Sequence, residues 1–574
     1  MQGSEWYWFM PLLCAAQGIA FMARKPAKKD ASKTQSFEQT LWATADKLRG
    51  SVESSEYKHV VLSLIFLKFI SDKFNQRKQQ LINEGQGDYV NMVEFYTMTN
   101  TFYLPENSRW EYIAQHAKQD DIAVKIDTAL YIIEKNNPSL RGALPDNYFS
   151  RLGLDVSKLA ALIDGINNID TIVQAVGADG EDSADSAAQK AASEEDIVGR
   201  VYEYFLGNFA ATEGKGGGEF YTPKCVVNLL AEMIEPYHGK IYDPCCGSGG
   251  MFVQSIKFVE SHQGNKKNIS IYGQEQTSTT YKLAKMNLAI RGISANLGDV
   301  PADTFFKDQH PDLKADFIIA NPPFNLKEWR GPDELTDDPR WAGYDTPPTG
   351  NANYGWILHM SSKLSDNGVA GFVLANGSMS TNTKGEGQIR QQMINNDLVD
   401  CMIALPGQLF YTTQIPVCLW FLTKNKKAQT FSDGRKQHRN REGETLFIDA
   451  RNMGSMVDRT HKELTSGGEE SDIARIARTY HAWRGEPVSP EGSGEAENGY
   501  EDLAGFCKSA TLDDIKANDY VLTPGRYVGA AEVEDDGELF EEKMQQLTQT
   551  LFQQMRDAQE LDAVIKQNLK GLGY

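Results

Sequence analysis

Basic charge is in short supply in this chain. Its 574 residues carry 58 Lys and Arg against 78 Asp and Glu, a formal net charge of −20 at pH 7. A protein that grips nucleic acid alone usually shows a basic face. This balance argues against tight solitary binding and assigns most phosphate contacts to a partner. Cysteine is also scarce. The 7 thiols (Cys14, Cys225, Cys245, Cys246, Cys401, Cys418 and Cys507) form no C-x-x-C pair. A disulfide framework and a zinc site of ordinary spacing are excluded, no metal is expected, and a reducing cytoplasm is the natural location. Beyond Met22 no uninterrupted apolar run reaches the ~18–20 residues of a membrane span, so no membrane partner is expected. A P-loop is missing as well: the 207–215 stretch has the wrong spacing, and Gly216 follows Lys215 where Ser or Thr is required. No nucleotide-driven motor is therefore encoded.

The body of the chain divides by pattern. Trp6 to Phe21 is apolar, but Glu5 stands where a secretory signal would be basic, and Met22 opens the lysine-rich ARKPAKKDASK. Translation is expected to start at Met22, with 1–36 a leader and basic tail outside the fold. Residues 37–176 read as a helical domain with a packing or DNA-cradling role. Phe37, Leu41, Ala45 and Leu48 recur at helical spacing, and Val60 to Ile70, broken by Ser63 and Lys68, reads as a buried helix. The acidic, small-residue stretch 177–196 is a linker by composition. From 197 to 530, short β-branched runs alternate with helical ones: Lys240 to Tyr242, Ile269 to Tyr272, Phe317 to Ala320 and Gly371 to Leu374. That alternation predicts βαβ units and a mostly parallel sheet covered on both faces, an α/β fold. Asp400 to Leu405, Val417 to Leu422 and Leu446 to Asp449 fit further strands. A helix is predicted over Asp472 to Trp483, with Ser471 as N-cap and Gly485 as stop. Residues 531–574 contain an amphipathic helix from about Glu538 to Leu569, with Phe540, Met544, Leu547, Leu551 and Met555 on one stripe. It either folds back on its own domain or docks a partner subunit.

Four features carry chemistry. Asp243-Pro-Cys-Cys-Gly247-Ser248-Gly249-Gly250 follows a predicted strand. A strand feeding a glycine turn and then a helix lets backbone N–H groups approach a ligand closely, because no Cβ intervenes. Glu275 ends the next strand, where an acid would face the hydroxyls of a nucleoside ribose. Asp299, closing the strand-like segment after it, is placed to accept from the adenine amino group of such a nucleoside. Asn321-Pro322-Pro323-Phe324 terminates the apolar strand Asp316 to Ala320. Two prolines stiffen the loop and direct an Asn side chain and a main-chain carbonyl into the crevice. Those acceptors can bind an exocyclic amine and stabilise charge that develops on it, and Phe324 offers a stacking face for an extruded base.

The paired Asp243–Gly250 and Asn321–Phe324 signatures resemble those of amino-group DNA methyltransferases that use S-adenosylmethionine. Upstream, Gly218-Glu219-Phe220-Tyr221-Thr222-Pro223-Lys224 resembles the cofactor motif that precedes the glycine turn in the gamma-ordered class. The closest resemblance is to modification subunits of type I restriction-modification systems. It is supported by the helical stretch around Leu41-Trp42 and Ser55-Glu56-Tyr57-Lys58, by Tyr202 to Leu206, by Ala404-Leu405-Pro406 with Phe410, and by Leu522 to Tyr527. The resemblance implies a Rossmann-like, mixed seven-stranded methyltransferase sheet with a helical N-terminal domain and a C-terminal helix. It implies transfer of a methyl group from S-adenosylmethionine to adenine N6, with the base flipped out of the DNA. Glu219, Phe220, Tyr221, Thr222, Pro223, Lys224, Ser248, Gly249 and Gly250 would line the methionine and ribose part of the cofactor, and Glu275 would hold the ribose. Asn321, Pro322, Pro323 and Phe324 would form the target site. Cys245 and Cys246 depart from the smaller residues common in such turns and are read as space-fillers, not nucleophiles.

The Asn-Pro-Pro-aromatic loop alone fits other planar amines equally: cytosine N4, an RNA base or a protein amide. A non-catalytic scaffold is the rival of another class, opposed by the intact Asn321 and Glu275. Lys424 to Asp519 reads as one strand, one helix and polar loops, too little for a target-recognition domain. The family therefore implies a specificity subunit, a restriction subunit, contact with DNA through the complex, and a second copy of this chain as partners.

Overall fold

The computed structural model describes residues 54–167, 222–262, 264–410, 415–430, 437–458, 461–486 and 499–530, with isolated positions at 42, 46 and 204 and most of 544–559. The leader, the acidic linker and the Gly207–Lys215 stretch lie outside the described residues, as do Glu219, Phe220 and Tyr221.

Residues 54–167 are helical. Helix α1 (Ser54–Asn83) runs through their middle, and every residue from Val60 to Ile70 is buried, Ser63 and Lys68 included. A helix apolar on all sides is stable only when packed all round. Here α2 (Ile122–Asn136), α3 (Val156–Asn167) and shorter turns enclose it. Phe74 stacks on Tyr96 at 4.7 Å. The buried Asp127 is fully used, accepting the N–H groups of Tyr148, Phe149 and Ser150 at 2.9–3.0 Å. One helix of the next unit, over Ser278–Ile290, adds Leu283, Met286 and Ile290 to this core.

The sheet unit begins with α3's successor, helix α4 (Lys224–Ile234), followed by β1 (Gly239–Asp243), a helix over Gly250–Ser261, β2 (Ile269–Gly273), α5 (Ser278–Ile290), β3 (Ala295–Asn296) and β4 (Ala315–Ala320). Then come α6 (Asn353–Lys363), β5 (Leu364–Ala375), a helix over Glu386–Asn395, β6 (Val399–Ala404), β7 (Val417–Thr423) and β8 (Glu444–Asp449). A short antiparallel pair, β9 (Ser455–Met456) and β10 (Lys462–Glu463), precedes α7 (Asp472–Arg484) and β11 (Cys507–Thr511).

The sheet has 9 strands in the order β11-β8-β6-β7-β5-β4-β1-β2-β3. Strands β3-β2-β1-β4-β5 pair in parallel, and β7 runs antiparallel between β5 and β6. The seven strands from β3 to β6 form the expected mixed sheet, and β8 and β11 extend it by two. Strand β11 was not legible in the sequence: Cys-Lys-Ser-Ala-Thr has no apolar alternation and is set by pairing with β8 from Cys507↔Ile448 to Thr511↔Glu444. The 424–519 region is thus richer than its sequence suggests, but two of its strands complete the central sheet. Side chains along β7 alternate between layers, Trp420 to one face and Leu419 and Phe421 to the other. Helix α7 is capped as expected, with Ser471 accepting the Ala474 N–H and Gly485 left-handed at φ 84°.

Near the C-terminus the described stretch is helical and leaves Met544, Leu551, Phe552 and Met555 exposed. The remainder of the expected 538–569 helix lies outside the described residues. Among the described residues no helix is long and apolar enough to cross a membrane.

Trp420 is fully buried at the sheet centre, and its indole N–H donates to Ser378 Oγ at 3.0 Å. Trp420→Ala is expected to cost about 3–5 kcal/mol of stability, read as a lower midpoint in urea unfolding.

Candidate functional site

The sheet's strand order reverses between β1 and β4, and the C-terminal ends of both open on one crevice, the position where open α/β sheets bind ligands. The turn after β1 needs glycine at two places, since Gly247 and Gly249 have φ of 54° and 77°. The helix starting at Gly250 has no side-chain N-cap, so the N–H groups of its first turn stay available at the crevice.

The turn is tied to its neighbours by a set of hydrogen bonds. Asp243 Oδ1 accepts the Cys245 N–H at 3.0 Å, and the Cys246 N–H donates to the Gln274 carbonyl at 2.9 Å. Glu275 holds both sides: Oε2 accepts the Gly247 N–H at 3.1 Å and Oε1 the Thr277 N–H at 2.8 Å. Asn287 and Thr304 fasten the turn from outside, donating to the Ser248 carbonyl at 2.8 Å and the Pro244 carbonyl at 2.6 Å. Asp243 is 1% exposed, and burial pushes its carboxyl up to about 7, with the Glu275 charge adding to the effect. Burial raises Glu275 as well. Two acids whose charge is poorly solvated make a crevice that favours a cation. Burial also pushes the Cys245 and Cys246 thiols well above their ordinary value, which suits space-filling thiols and not nucleophiles.

The second wall follows β4. Asn321 Nδ2 donates to Thr222 Oγ1 at 3.0 Å, which joins the segment before α4 to the Asn-Pro-Pro-Phe loop. Asn321 Oδ1 is buried and has no hydrogen-bond partner among the described residues. A buried amide oxygen left unpaired costs about 1–3 kcal/mol, so its position points to a donor that arrives with a ligand. Pro322 is buried and Pro323 half-buried. The half-buried Phe324 ring meets Phe410 edge-on at 5.9 Å and 71°.

The structure therefore brings Thr222, Asp243, Gly247 to Gly250, Glu275 and Asn321 to Phe324 to one sheet edge. Pro223 is buried before α4, and Lys224 is exposed as its first residue. Asp299 is exposed and stands outside the Asp243–Glu275 bond network, its N–H donating to Gln309 Oε1 at 2.9 Å. Sequence reasoning missed Gln274. Fully buried, it donates to the Ala302 and Lys307 carbonyls and accepts the Gln309 N–H, fixing the wall after β3. A polar residue between Gly273 and an acid carried no signal of that role. At the C-terminal end of α4, ligand atoms of Glu235, His481 and Glu486 come within 4.8 Å of one another. Their donors are engaged: His481 Nε2 faces the Glu232 carbonyl at 2.8 Å, and Arg484 lies 3.1 Å from Glu486.

Because the folded-state value of Asp243 lies above the ordinary 3.8, the stability its protonated form contributes is present at acid pH and lost as pH rises through about 7. Asp243→Asn is expected to gain stability relative to the parent as pH rises from 4 to 8, measured by thermal unfolding across that range.

Two family models match the chain: the N-6 DNA Methylase model over residues 193–536 and the HsdM N-terminal domain model over 37–166. The HindI type I restriction enzyme methylase subunit of Haemophilus influenzae is 49% identical over 82% of this chain and 100% of its own length. The MjaIX methylase subunit of Methanocaldococcus jannaschii is 37% identical over 94% of this chain and 92% of its own. Among solved structures, the type I methyltransferase subunit of Streptococcus thermophilus shares the fold, with a TM-score of 0.65 at 22% identity over 86% of this chain and 99% of that one. With its glycine turn and Asn-Pro-Pro-Phe loop on one crevice, this chain belongs to the N-6 DNA methylase family, as a DNA-methylating modification subunit of the type I restriction-modification class.

Proposed function

We propose that the crevice transfers a methyl group from S-adenosylmethionine to N6 of an adenine extruded from duplex DNA, and that it does so within a type I restriction-modification assembly. The observation that carries this reading is the buried, unpartnered Asn321 Oδ1 beside the Phe324 ring. An exocyclic amine needs such an acceptor, and a flipped base needs such a face. The residues of the crevice fit the cofactor. Asp243 and Glu275, both pushed toward protonation by burial, suit a ligand bearing cationic groups, and the glycine turn admits close approach. The bound cofactor supplies an electrophilic methyl group on its sulfonium.

The protein's own share is positioning and charge stabilisation. Glu275 keeps lone pairs on both oxygens for ribose hydroxyls, and Asp299 would take the cofactor's adenine amino group. Glu219 to Lys224 and Ser248 to Gly250 would line the remainder. Asn321 Oδ1 and the Pro322 carbonyl accept the hydrogens of the target amine, which favours the charge that grows on nitrogen. Pro323 stiffens the loop, and Phe324 stacks on the base. Sequence choice and cleavage fall to a specificity subunit and a restriction subunit, with a second copy of this chain and DNA held through the complex. The net charge of −20 agrees with phosphate contacts supplied elsewhere.

Asn321→Ala in the assembled enzyme is expected to slow methyl transfer by about 10²–10³ while cofactor binding persists. The measurement is tritium transfer to a duplex, with the modified nucleoside identified by mass. Full activity of the variant, or N4-methylcytosine as the product, would sink the assignment. Cofactor affinity is expected to rise with pH through about 7, where Asp243 becomes an anion. Calorimetric titration at several pH values checks it, and Asp243→Asn should flatten the dependence.

A further inference from the structure

The Asn-Pro-Pro-Phe loop does not end at Phe324. The next residue, Asn325, has φ of 54°, in the left-handed region that side-chain-bearing residues seldom occupy. It is held there by α6, the helix that starts at Asn353. Asn353 is 1% exposed and uses both ends of its amide on Asn325. Its Oδ1 accepts the Asn325 N–H at 3.0 Å, and its Nδ2 donates to Asn325 Oδ1 at 3.0 Å. Asn351 adds a donor to the same Oδ1 at 3.3 Å and accepts the Asn353 N–H through its own Oδ1 at 2.9 Å. Just beyond, the Ala352 N–H donates to the Leu326 carbonyl at 2.9 Å and the Glu328 N–H to the Thr349 carbonyl at 3.1 Å. Glu328 is left-handed too, at φ 53°.

We infer that Asn353 and Asn325 form a clamp that sets the position of the Phe324 ring against the target base, making both of them positioning residues for methyl transfer. This rests on the reading of Asn321–Phe324 as the target-base site. The Phe324 ring packs edge-on against Phe410 at 5.9 Å. Its backbone is fixed by the residue that follows it, and that residue is held by Asn353. A left-handed, non-glycine backbone persists only where its surroundings over-determine it, and such strain gathers where a side chain must be aimed. Asparagine, like aspartate, tolerates this conformation and offers a side-chain acceptor, and its amide adds a donor. The two ends of the clamp are far apart in sequence, so the ring's placement depends on how α6 seats against the sheet. Asn353 spends both ends of its amide on Asn325 and so acts through it.

The test uses the full assembled enzyme and compares Asn321→Ala, Asn353→Ala, Asn325→Gly and Asn325→Ala. Asn353→Ala is expected to lower kcat about tenfold to hundredfold with cofactor Kd unchanged, a larger loss than its lowered melting temperature accounts for at the assay temperature. A duplex carrying 2-aminopurine at the target position should fluoresce more brightly when bound to Asn353→Ala than to the parent, because the extruded base is less well stacked. Asn325→Gly keeps the left-handed backbone and loses only the amide, so it should lose less activity than Asn325→Ala. The clamp is overturned if Asn353→Ala keeps the parent kcat and emission, or if its kcat falls only in step with melting temperature and cofactor affinity. Activity retained by Asn321→Ala overturns the site itself and the clamp with it. Loss in Asn321→Ala beside an unaffected Asn353→Ala overturns the clamp alone.

Discussion

The bond from the Gly247 N–H to Glu275 joins two strand ends into one surface, and the crevice depends on it. Strands β1 and β2 pair in parallel up to Asp243↔Gly273, so their C-terminal ends emerge side by side. Parallel neighbours leave the backbone beyond the last rung unpaired. Here the Gln274 N–H returns to the Asp243 carbonyl, the Cys246 N–H to the Gln274 carbonyl, and the Glu275 carboxylate takes the rest. A left-handed glycine turn would otherwise be a floppy segment, since glycine loses the most freedom on folding. Fastened this way, it presents its N–H groups in a fixed direction before any ligand arrives.

The same bonds concentrate unfavourable charge. Asp243 and Glu275 are both buried, burial raises each toward its proton, and the Glu275 charge adds to the rise of Asp243. Such a pair is a cost in the empty protein and an attraction for a cation. Across the crevice the unpaired Asn321 Oδ1 is a cost of a different kind, a buried acceptor held waiting by its bond to Thr222. Both walls are thus polarised toward ligands: one toward positive charge, the other toward an N–H donor. The helical unit at 54–167 is joined to this frame through α5, whose Leu283, Met286 and Ile290 sit in its core. The opposite side of α5 lies behind the glycine turn, where Asn287 holds the Ser248 carbonyl. One helix therefore joins the helical unit to the wall formed by the glycine turn.

Much was legible from local pattern. The strand runs at Lys240, Ile269, Phe317, Gly371, Asp400, Val417 and Leu446 were visible because buried strands read as continuous apolar runs. Helix α7 was delimited by Ser471 and Gly485 because capping is a local affair of three or four residues. The glycine turn and Asn-Pro-Pro-Phe were visible because their chemistry is written in consecutive residues. Tertiary structure decided the rest. Strand β11 exists because β8 supplies its partner. Asn321 meets Thr222 across 99 residues only because β4 and the segment before α4 reach the same edge. Gln274, Thr304, Asn353 and Phe410 gained their roles in the same way. The sequence by itself determined which residues could bind a nucleoside and an amine, since residue type and local spacing carry that information. Which atoms are satisfied, which acceptor is left open and which acids are pushed toward their protons were decided only by packing, because burial and non-local hydrogen bonds arise only when distant segments share one crevice.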